Sequence, residues 1–189
     1  MPRFEPFRAL RYAPGIDLGA VLAPPYDVLS DADVDGLAAR DPRNIVHVDV
    51  PRGGDDRYTR AGELLRDWIA SGVLVQDEAP SFSLYRMRFT DATGARRDLV
   101  GVLGGLEVVD EGAGGVLPHE RTTPKASTDR LDLTRATRAN LSPVWGLSLA
   151  RGLTALLAAP GELVGQVTVD GVEHVVERVT DAARITAIR

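Results

Sequence analysis

Apolar residues recur at helical spacing in several stretches of the chain. Between residues 56 and 71, apolar positions recur at helical spacing, and Gly72 then ends the pattern. These positions are Leu64, Leu65, Trp68 and Ile69. Ser30 stands where an N-cap would begin another helix. The helices predicted in this way cover residues 31–40, 56–71, 128–138, 152–159 and 181–189, the last of them capped by Thr180.

Strict alternation of apolar and other residues predicts strands elsewhere. The strongest hairpin signal is Asp170-Gly171, because this dipeptide suits a tight two-residue turn. The glycines of the stretch 98–110 suggest a bulge or a close approach of backbone there. Residues 20–29, broken by prolines, read as a loop or a short edge strand. The predicted strands are 45–50, 81–89, 98–110 (after a turn at 91–94), 142–150 and the two halves of 163–179.

These elements predict an α+β fold with a mixed sheet. We expect an N-terminal α/β lobe over residues 1–110 and a second lobe over residues 111–189, with the glycine-rich residues 111–115 as the hinge. A chain of 189 residues is long enough for one large domain or two small ones.

The amino-acid composition excludes several classes of function. The net charge of −5 argues against broad contact with nucleic acid, whose affinity comes from neutralising phosphates. The chain has no cysteine, which excludes disulfides, thiolate metal sites and cysteine nucleophiles and fits a cytoplasmic location. No metal site is expected from the three histidines, and neither a signal peptide nor a membrane-spanning apolar run is visible.

The segment 116–125, VLPHERTTPK, concentrates groups able to perform chemistry. Glu120 is a candidate general base, although most carboxylates are simply solvated and this one could pair with Arg121. His119 could orient Glu120 or contact a phosphate, or it could pack at the edge of the loop. Arg121, Thr122 and Lys125 complete a set suited to an anionic ligand.

Downstream, the segment 128–140 carries three arginines. Arg130, Arg135 and Arg138 could clamp phosphate oxygens, since guanidinium groups bind them in pairs. The alternative is a solvated helix face on which Asp129 and Asp132 neutralise these arginines. Asn140 is read as a left-handed cap of this helix rather than as a ligand. The chain has no P-loop and no dinucleotide fingerprint, so a bound nucleotide would need another geometry.

A rigid Pro-Pro turn precedes two further candidates. Tyr26 and Asp27 could wall a substrate pocket, with Asp27 contacting a substrate amine or Mg²⁺. The plainer interpretation is a turn that supports the neighbouring element, because Pro-Pro is chiefly a conformational device.

Six motifs run in order along most of the chain: FEPFRALRY, APPYDV, NIVHVDVP, DWIASGVL, VLPHERTTPK and TRATRANLSPVWGL. Together they resemble the bacterial domain of unknown function 1015 family. A more distant resemblance links LPHERT to the Leu-x-Pro-His-Glu-Glu box of ParB-like proteins, which include CTPases and free L-serine kinases.

The ParB-like resemblance implies that Glu120 acts as general base on a substrate hydroxyl. Arg121 replaces the second Glu of the box, and the downstream Asp-Gly-His-His-Arg phosphate motif of the kinases has no counterpart here. The second lobe is therefore expected to be the first part of a ParB-like lobe. We expect the 189-residue chain to be an N-terminal fragment that folds without catalytic turnover.

The leading hypothesis is a nucleotide-dependent kinase of a small, serine-like hydroxylated metabolite, using ATP or another nucleotide with Mg²⁺. Alternatives are a non-catalytic nucleotide-binding module and a protein-interaction module. The phosphate donor, the acceptor, the oligomeric state and the pathway stay open at this point.

Overall fold

The computed structural model describes residues 2–110, 112–118 and 124–189, apart from the side chains of residues 124–127. The described helices and strands form an α+β fold, as predicted. The expected mixed sheet was wrong, because the strands of the four-stranded sheet all pair in antiparallel fashion. The strands are β1 (Phe4–Glu5), β2 (Leu10–Tyr12), β3 (Leu74–Gln76), β4 (Phe82–Thr90), β5 (Arg96–Leu103), β6 (Gly105–Leu106), β7 (Glu162–Val169) and β8 (Val172–Val179). The helices are α1 (Leu18–Val21), α2 (Asp31–Arg40), α3 (Val46–Asp49), α4 (Arg57–Ala70), α5 (Pro124–Thr137), α6 (Leu153–Ala158) and α7 (Ala182–Ile188), with a 3₁₀ turn at Tyr26–Val28.

The chain forms two compact units, each assembled from separate segments. Unit 1 comprises Met1–Leu10, Gln76–Leu117 and Trp145–Arg189. Unit 2 comprises Arg11–Val75 and Pro118–Val144. The predicted division into a lobe of residues 1–110 and a lobe of residues 111–189 stays a prediction.

Unit 1 is built on a four-stranded antiparallel sheet with the order β5-β4-β8-β7. Phe82, Leu84 and Val179 lie buried on one of its faces, where they pack with Leu157 of α6 and Ile185 of α7. The two predicted hairpins are confirmed. In the second, Asp170 and Gly171 have φ angles of 49° and 77°, the left-handed conformation that a tight two-residue turn requires.

Gly104, just after β5, reflects a close approach, one of the two predicted options, whereas a Cβ atom on Gly101 would meet no atom within 4 Å. The β4–β5 register runs without a shift from Ser83–Leu103 to Thr90–Arg96, so this strand pair has no bulge. A Cβ atom on Gly104 would lie 2.5 Å from the ring of Phe4 and 2.7 Å from that of Phe82. Gly104 therefore leaves room for the two stacked rings, whose centroids are 5.1 Å apart.

A charged pair is buried beneath the same sheet. Arg86 donates from Nε to Glu177 at 2.9 Å, and its Nη2 donates to the carbonyl oxygens of Leu157, Ala158 and Ala159. These carbonyls lie at the C-terminal end of α6, where no backbone N–H of the helix is available to donate to them. Arg86 thus neutralises Glu177 and completes the hydrogen bonding of the helix terminus.

Unit 2 is mainly helical, and Val34, Leu37 and Val46 form one of its buried core clusters. The predicted helix 31–40 is confirmed with Ser30 as its N-cap, and Asp33 completes a capping box. The predicted helix 56–71 is confirmed as α4, and Gly72 follows it with φ 77°.

The prediction of a strand at residues 45–50 was wrong, because Val46–Asp49 is one turn of helix. Val46 and Val48 are both buried. The alternating apolar residues of IVHVDV therefore belong to a helical turn that is buried on more than one side, and not to a strand with one buried face. The Asn44 side chain decides the conformation. It accepts from the Val46 amide at 3.0 Å and donates to the carbonyls of Ala20 and Leu22, which ties α3 to α1.

The predicted buried strand 142–150 was also wrong. Its described residues have no regular secondary structure, and Val144, Leu147 and Leu149 are almost fully exposed. Alternation shows only strand propensity, and a strand also needs a neighbour to receive its backbone hydrogen bonds.

Smaller boundary predictions also needed correction. Residues 20–29, predicted as a loop or a short edge strand, contain the end of α1, a 3₁₀ turn and loop residues, and no strand. Helix α5 begins at Pro124, and Arg138, not Asn140, takes the left-handed conformation after it, with φ 56°. Asp181 rather than Thr180 caps α7, since its side chain accepts from the Arg184 amide.

Candidate functional site

The central residues 119–123 of the segment 116–125 lie outside the described residues. This applies to His119, Glu120, Arg121 and Thr122. Lys125 belongs to the backbone of α5, but its side chain is outside the description as well. The roles assigned to these five residues stay predictions. The described structure shows the contacts of α5, the helix that follows the segment in the chain.

Helix α5 is anchored within unit 2 by Arg130. The Arg130 guanidinium donates from Nη1 to the Asp49 carboxylate and from Nη2 to the Asp49 backbone carbonyl, each at 2.9 Å. It also donates to Asp129 at 2.6 and 3.0 Å, and its central carbon lies 4.0 Å from the centroid of the Tyr26 ring. We call Tyr26, Asp49, Tyr58, Asp129, Arg130 and Ser142 the Asp49–Arg130 cluster.

Asp49 is the most buried carboxylate of this cluster, with 8% of the residue exposed. Burial raises its pKa above the ordinary value, against the opposing effects of Arg130 and of the Ser142 hydroxyl 3.5 Å away. Loss of hydration disfavours a charged carboxylate, whereas a neighbouring cation favours it. Asp49 is thus a carboxyl group that could accept a proton at milder acidity than an exposed aspartate.

The pKa of Asp129 is shifted in the opposite direction from that of Asp49. Burial raises its pKa, but hydrogen bonds from Tyr58 and Arg130 outweigh burial, so the pKa lies below its ordinary value. The Tyr58 hydroxyl donates to Asp129 at 2.5 Å and accepts from Arg57 at 2.8 Å. Burial, followed by the bond to Asp129, raises the Tyr58 pKa. The cluster therefore holds two carboxyl groups whose proton affinities differ.

Close packing of α4 on α5 brings Tyr58 to Asp129. A Cβ atom on Gly62 of α4 would collide with the backbone carbonyl of Ala136 in α5. Glycine at this position lets the two helix backbones approach one another. The same approach places Asp129 and Arg130 against α4 and α3.

The structure brings together only part of the predicted set. Tyr26 and Arg130 meet in the cluster, whereas Asp27 is exposed. Arg135 is exposed and pairs with Asp132 at 3.6 Å, and Arg138 is exposed beyond the end of α5. The alternative in which Asp129 and Asp132 neutralise arginines thus describes Arg130 and Arg135.

Sequence reasoning missed Asp49 and Tyr58 as members of this cluster. Asp49 was assigned to a strand, and Tyr58 was one of several polar residues on a helix. The available signal for Asp49 was an aspartate inside the apolar run IVHVDV, since a buried charge needs a partner.

Two features are absent from the described parts of the chain. Its histidines and carboxylates form no group of three or more that could hold a metal ion. Its helices include none with the length and apolar character needed to cross a membrane.

Comparison with known proteins identifies the family. The sequence profile of a family described as "Protein of unknown function (DUF1015)" matches residues 4–189, so the chain belongs to that family. No curated protein and no solved structure matches the chain.

Proposed function

We propose that this protein is a nucleotide-dependent kinase of a small hydroxylated metabolite, with serine-like compounds the first class to test. Glu120 would take the proton from the substrate hydroxyl, and His119 would orient Glu120 or contact a phosphate. The resemblance of LPHERT to the box of ParB-like serine kinases supports this assignment. Phosphoryl transfer needs chiefly positioning and charge neutralisation, for which this segment has suitable groups.

The Asp49–Arg130 cluster is the observation that favours a site here. Residues 119–123 lead directly into α5, and Arg130 ties that helix to Asp49 on α3 through two hydrogen bonds. Segments that position reacting groups need rigid support, because small displacements reduce rates strongly. An anchored α5 would supply that support at the downstream end of the segment.

The geometry reassigns some predicted roles. Arg130 is already engaged by two carboxylates, so in this proposal it positions α5 and does not bind phosphate. Phosphate contacts would fall to Arg121, Thr122 and Lys125, with Arg135 and Arg138 as exposed cations nearby in sequence. Mg²⁺ would be held mainly by nucleotide phosphate oxygens, as is common for this ion.

The test is phosphoryl transfer followed by ³¹P NMR. The protein, produced as its gene encodes it, would be incubated with Mg²⁺ and ATP, ADP or CTP. Each incubation would be made with and without L-serine and related hydroxylated compounds. We expect a phosphomonoester signal that depends on the acceptor. Glu120→Gln should lower its rate at least about a hundredfold, the usual contribution of a general base.

The matched control is Glu63→Gln, which makes the same change at an exposed position of α4. It should leave transfer unchanged. Undiminished transfer in Glu120→Gln would contradict the assignment of the base. Nucleotide binding without transfer to any acceptor would favour the non-catalytic nucleotide-binding module instead.

The second candidate is a protein-interaction module, favoured by the exposed apolar residues of segment 144–149. Leu147 and Leu149 are 89% and 98% exposed, and Trp145 is 66% exposed. Clustered exposed apolar side chains are typical of binding segments. This candidate predicts no thermal shift with any nucleotide and no transfer.

A further inference from the structure

A cavity of about 320 Å³ lies among α2, α3 and α4 of unit 2. Its walls include Val34, Val46, Ala61 and Leu64. Val34 and Val46 also belong to the buried core of this unit, so the floor of the cavity is continuous with that core. A ligand entering it would find an apolar, well-supported surface.

The rim of this cavity carries arginines. Arg52, Arg57 and Arg60 all line it. Arg60 donates to the backbone carbonyl of Arg52 at 2.9 Å, and Arg57 donates to that of Gly54 at 3.3 Å. These bonds hold the loop between α3 and α4, so the three guanidinium groups are positioned beside the apolar walls.

The carboxylates that pair with the rim arginines lie on the surface. Arg52 pairs with Asp31 and Asp35, and Arg60 pairs with Asp56. These carboxylates are exposed, and exposed ion pairs contribute little free energy, so an incoming anion could exchange with them. Within the described parts of the chain, no carboxylate lies at ion-pair distance from Arg57, whose guanidinium instead rests 4.3 Å from the Tyr58 ring centroid.

We infer that this cavity binds a small organic anion with a compact apolar body and one carboxylate or phosphate head. The volume falls within the range of about 300 to 1,000 Å³ that is typical of small-molecule sites. The walls would take the apolar body, and Arg57 would bind the head by charge-assisted hydrogen bonds. The inference does not depend on the proposed kinase function, because it uses none of the residues of segment 119–125.

NMR titration with matched six-carbon probes tests the inference. Hexanoate and hexyl phosphate should bind saturably and shift the methyl signals of Val34 and Val46 and the ring signals of His47, which also lines the cavity. The stronger of the two probes identifies the preferred head group. Hexan-1-ol lacks the charge and inorganic phosphate lacks the apolar body, so both should bind at least about tenfold more weakly.

Two variants and one control variant locate the site. Arg57→Gln should weaken binding of the anionic probes about tenfold by removing the charge. Ala38→Phe should abolish binding by filling the cavity from α2 without altering the Asp49–Arg130 cluster. Arg66→Gln, on the same helix as Arg57 but away from the cavity, should bind like the unaltered protein. Equal binding of hexan-1-ol and hexanoate, or unsaturable shifts spread over the surface, would overturn the inference.

Discussion

Asp49 engages Arg130 twice, once through its carboxylate and once through its backbone carbonyl, each at 2.9 Å. The double contact joins a one-turn helix to a fourteen-residue helix far along the chain. Side chain and backbone of one residue thus fix a single guanidinium. Both side chains are largely removed from solvent, with 12% and 23% of their surfaces exposed.

We expect Arg130→Met to destabilise unit 2 by about 3 kcal/mol, because it leaves a buried Asp49 without its counter-charge. Urea unfolding followed by the fluorescence of Trp68, which is buried in this unit, would measure the change. Arg135→Met is the control on the same helix. Its ion pair is exposed, so its effect should stay below about 0.5 kcal/mol.

A double variant separates charge from packing. Asp49→Asn combined with Arg130→Met removes both charges of the pair, so it should be more stable than Arg130→Met alone. If the double variant is the less stable of the two, the lost free energy lies in packing or hydrogen bonds and not in the uncompensated carboxylate.

The pH dependence of Asp49 follows from burial, which raises its pKa in the folded protein. Between the ordinary pKa and this raised value, the folded state binds more protons than the unfolded state. The cost of burying the charge is therefore full above the folded pKa and is relieved as the pH falls through this window. The stability of the unaltered protein relative to Asp49→Asn should rise as the pH falls there.

A carboxyl ¹³C titration measures this directly, with Asp41 as an internal contrast. Hydrogen bonds from Arg43 lower the pKa of Asp41 to about 2. Its stabilising effect is therefore present above the ordinary value and is lost as the pH falls towards 2. If Asp49 titrated at or below its ordinary value, Arg130 would outweigh burial and the predicted sign would be reversed.

Gly62→Ala should destabilise the protein, although alanine usually favours a helix over glycine by about 1 kcal/mol. The added methyl group would collide with the carbonyl of Ala136, so α4 and α5 would have to separate. Gly36→Ala in α2 is the matched control, since no neighbouring atom lies within 4 Å of the position that its methyl group would take. It should stabilise by about 0.5 to 1 kcal/mol in the same denaturation assay.

In unit 1, Arg86→Ala should cost about 3 kcal/mol or more, because Glu177 would stay buried without a partner and three carbonyls would lose a donor. Thermal unfolding monitored by circular dichroism would show the loss. Arg96→Ala, at an exposed position of β5, should change stability by less than about 0.5 kcal/mol. Similar effects of the two substitutions would refute the role given to Arg86.

Sequence patterns predicted elements that depend on local interactions. The N-cap of α2 at Ser30, helix α4, the turn at Asp170-Gly171 and the short helix α6 all follow from residues close together in the chain. Patterns failed at residues 45–50 and 142–150. Both are short apolar runs, whose conformation depends on partners distant in sequence.

For the candidate site, too, some features follow from the sequence and others only from the tertiary structure. The sequence by itself determined the α+β class, the family motifs and the segment that concentrates chemical groups, because composition, periodicity and motif spacing are properties of the chain. Only the tertiary structure decided that Asp49 is buried, that Arg130 serves Asp49 and Asp129, and that Tyr26 lies against that guanidinium. Burial and charge pairing depend on which distant segments come into contact, and a pattern along the sequence does not specify those contacts.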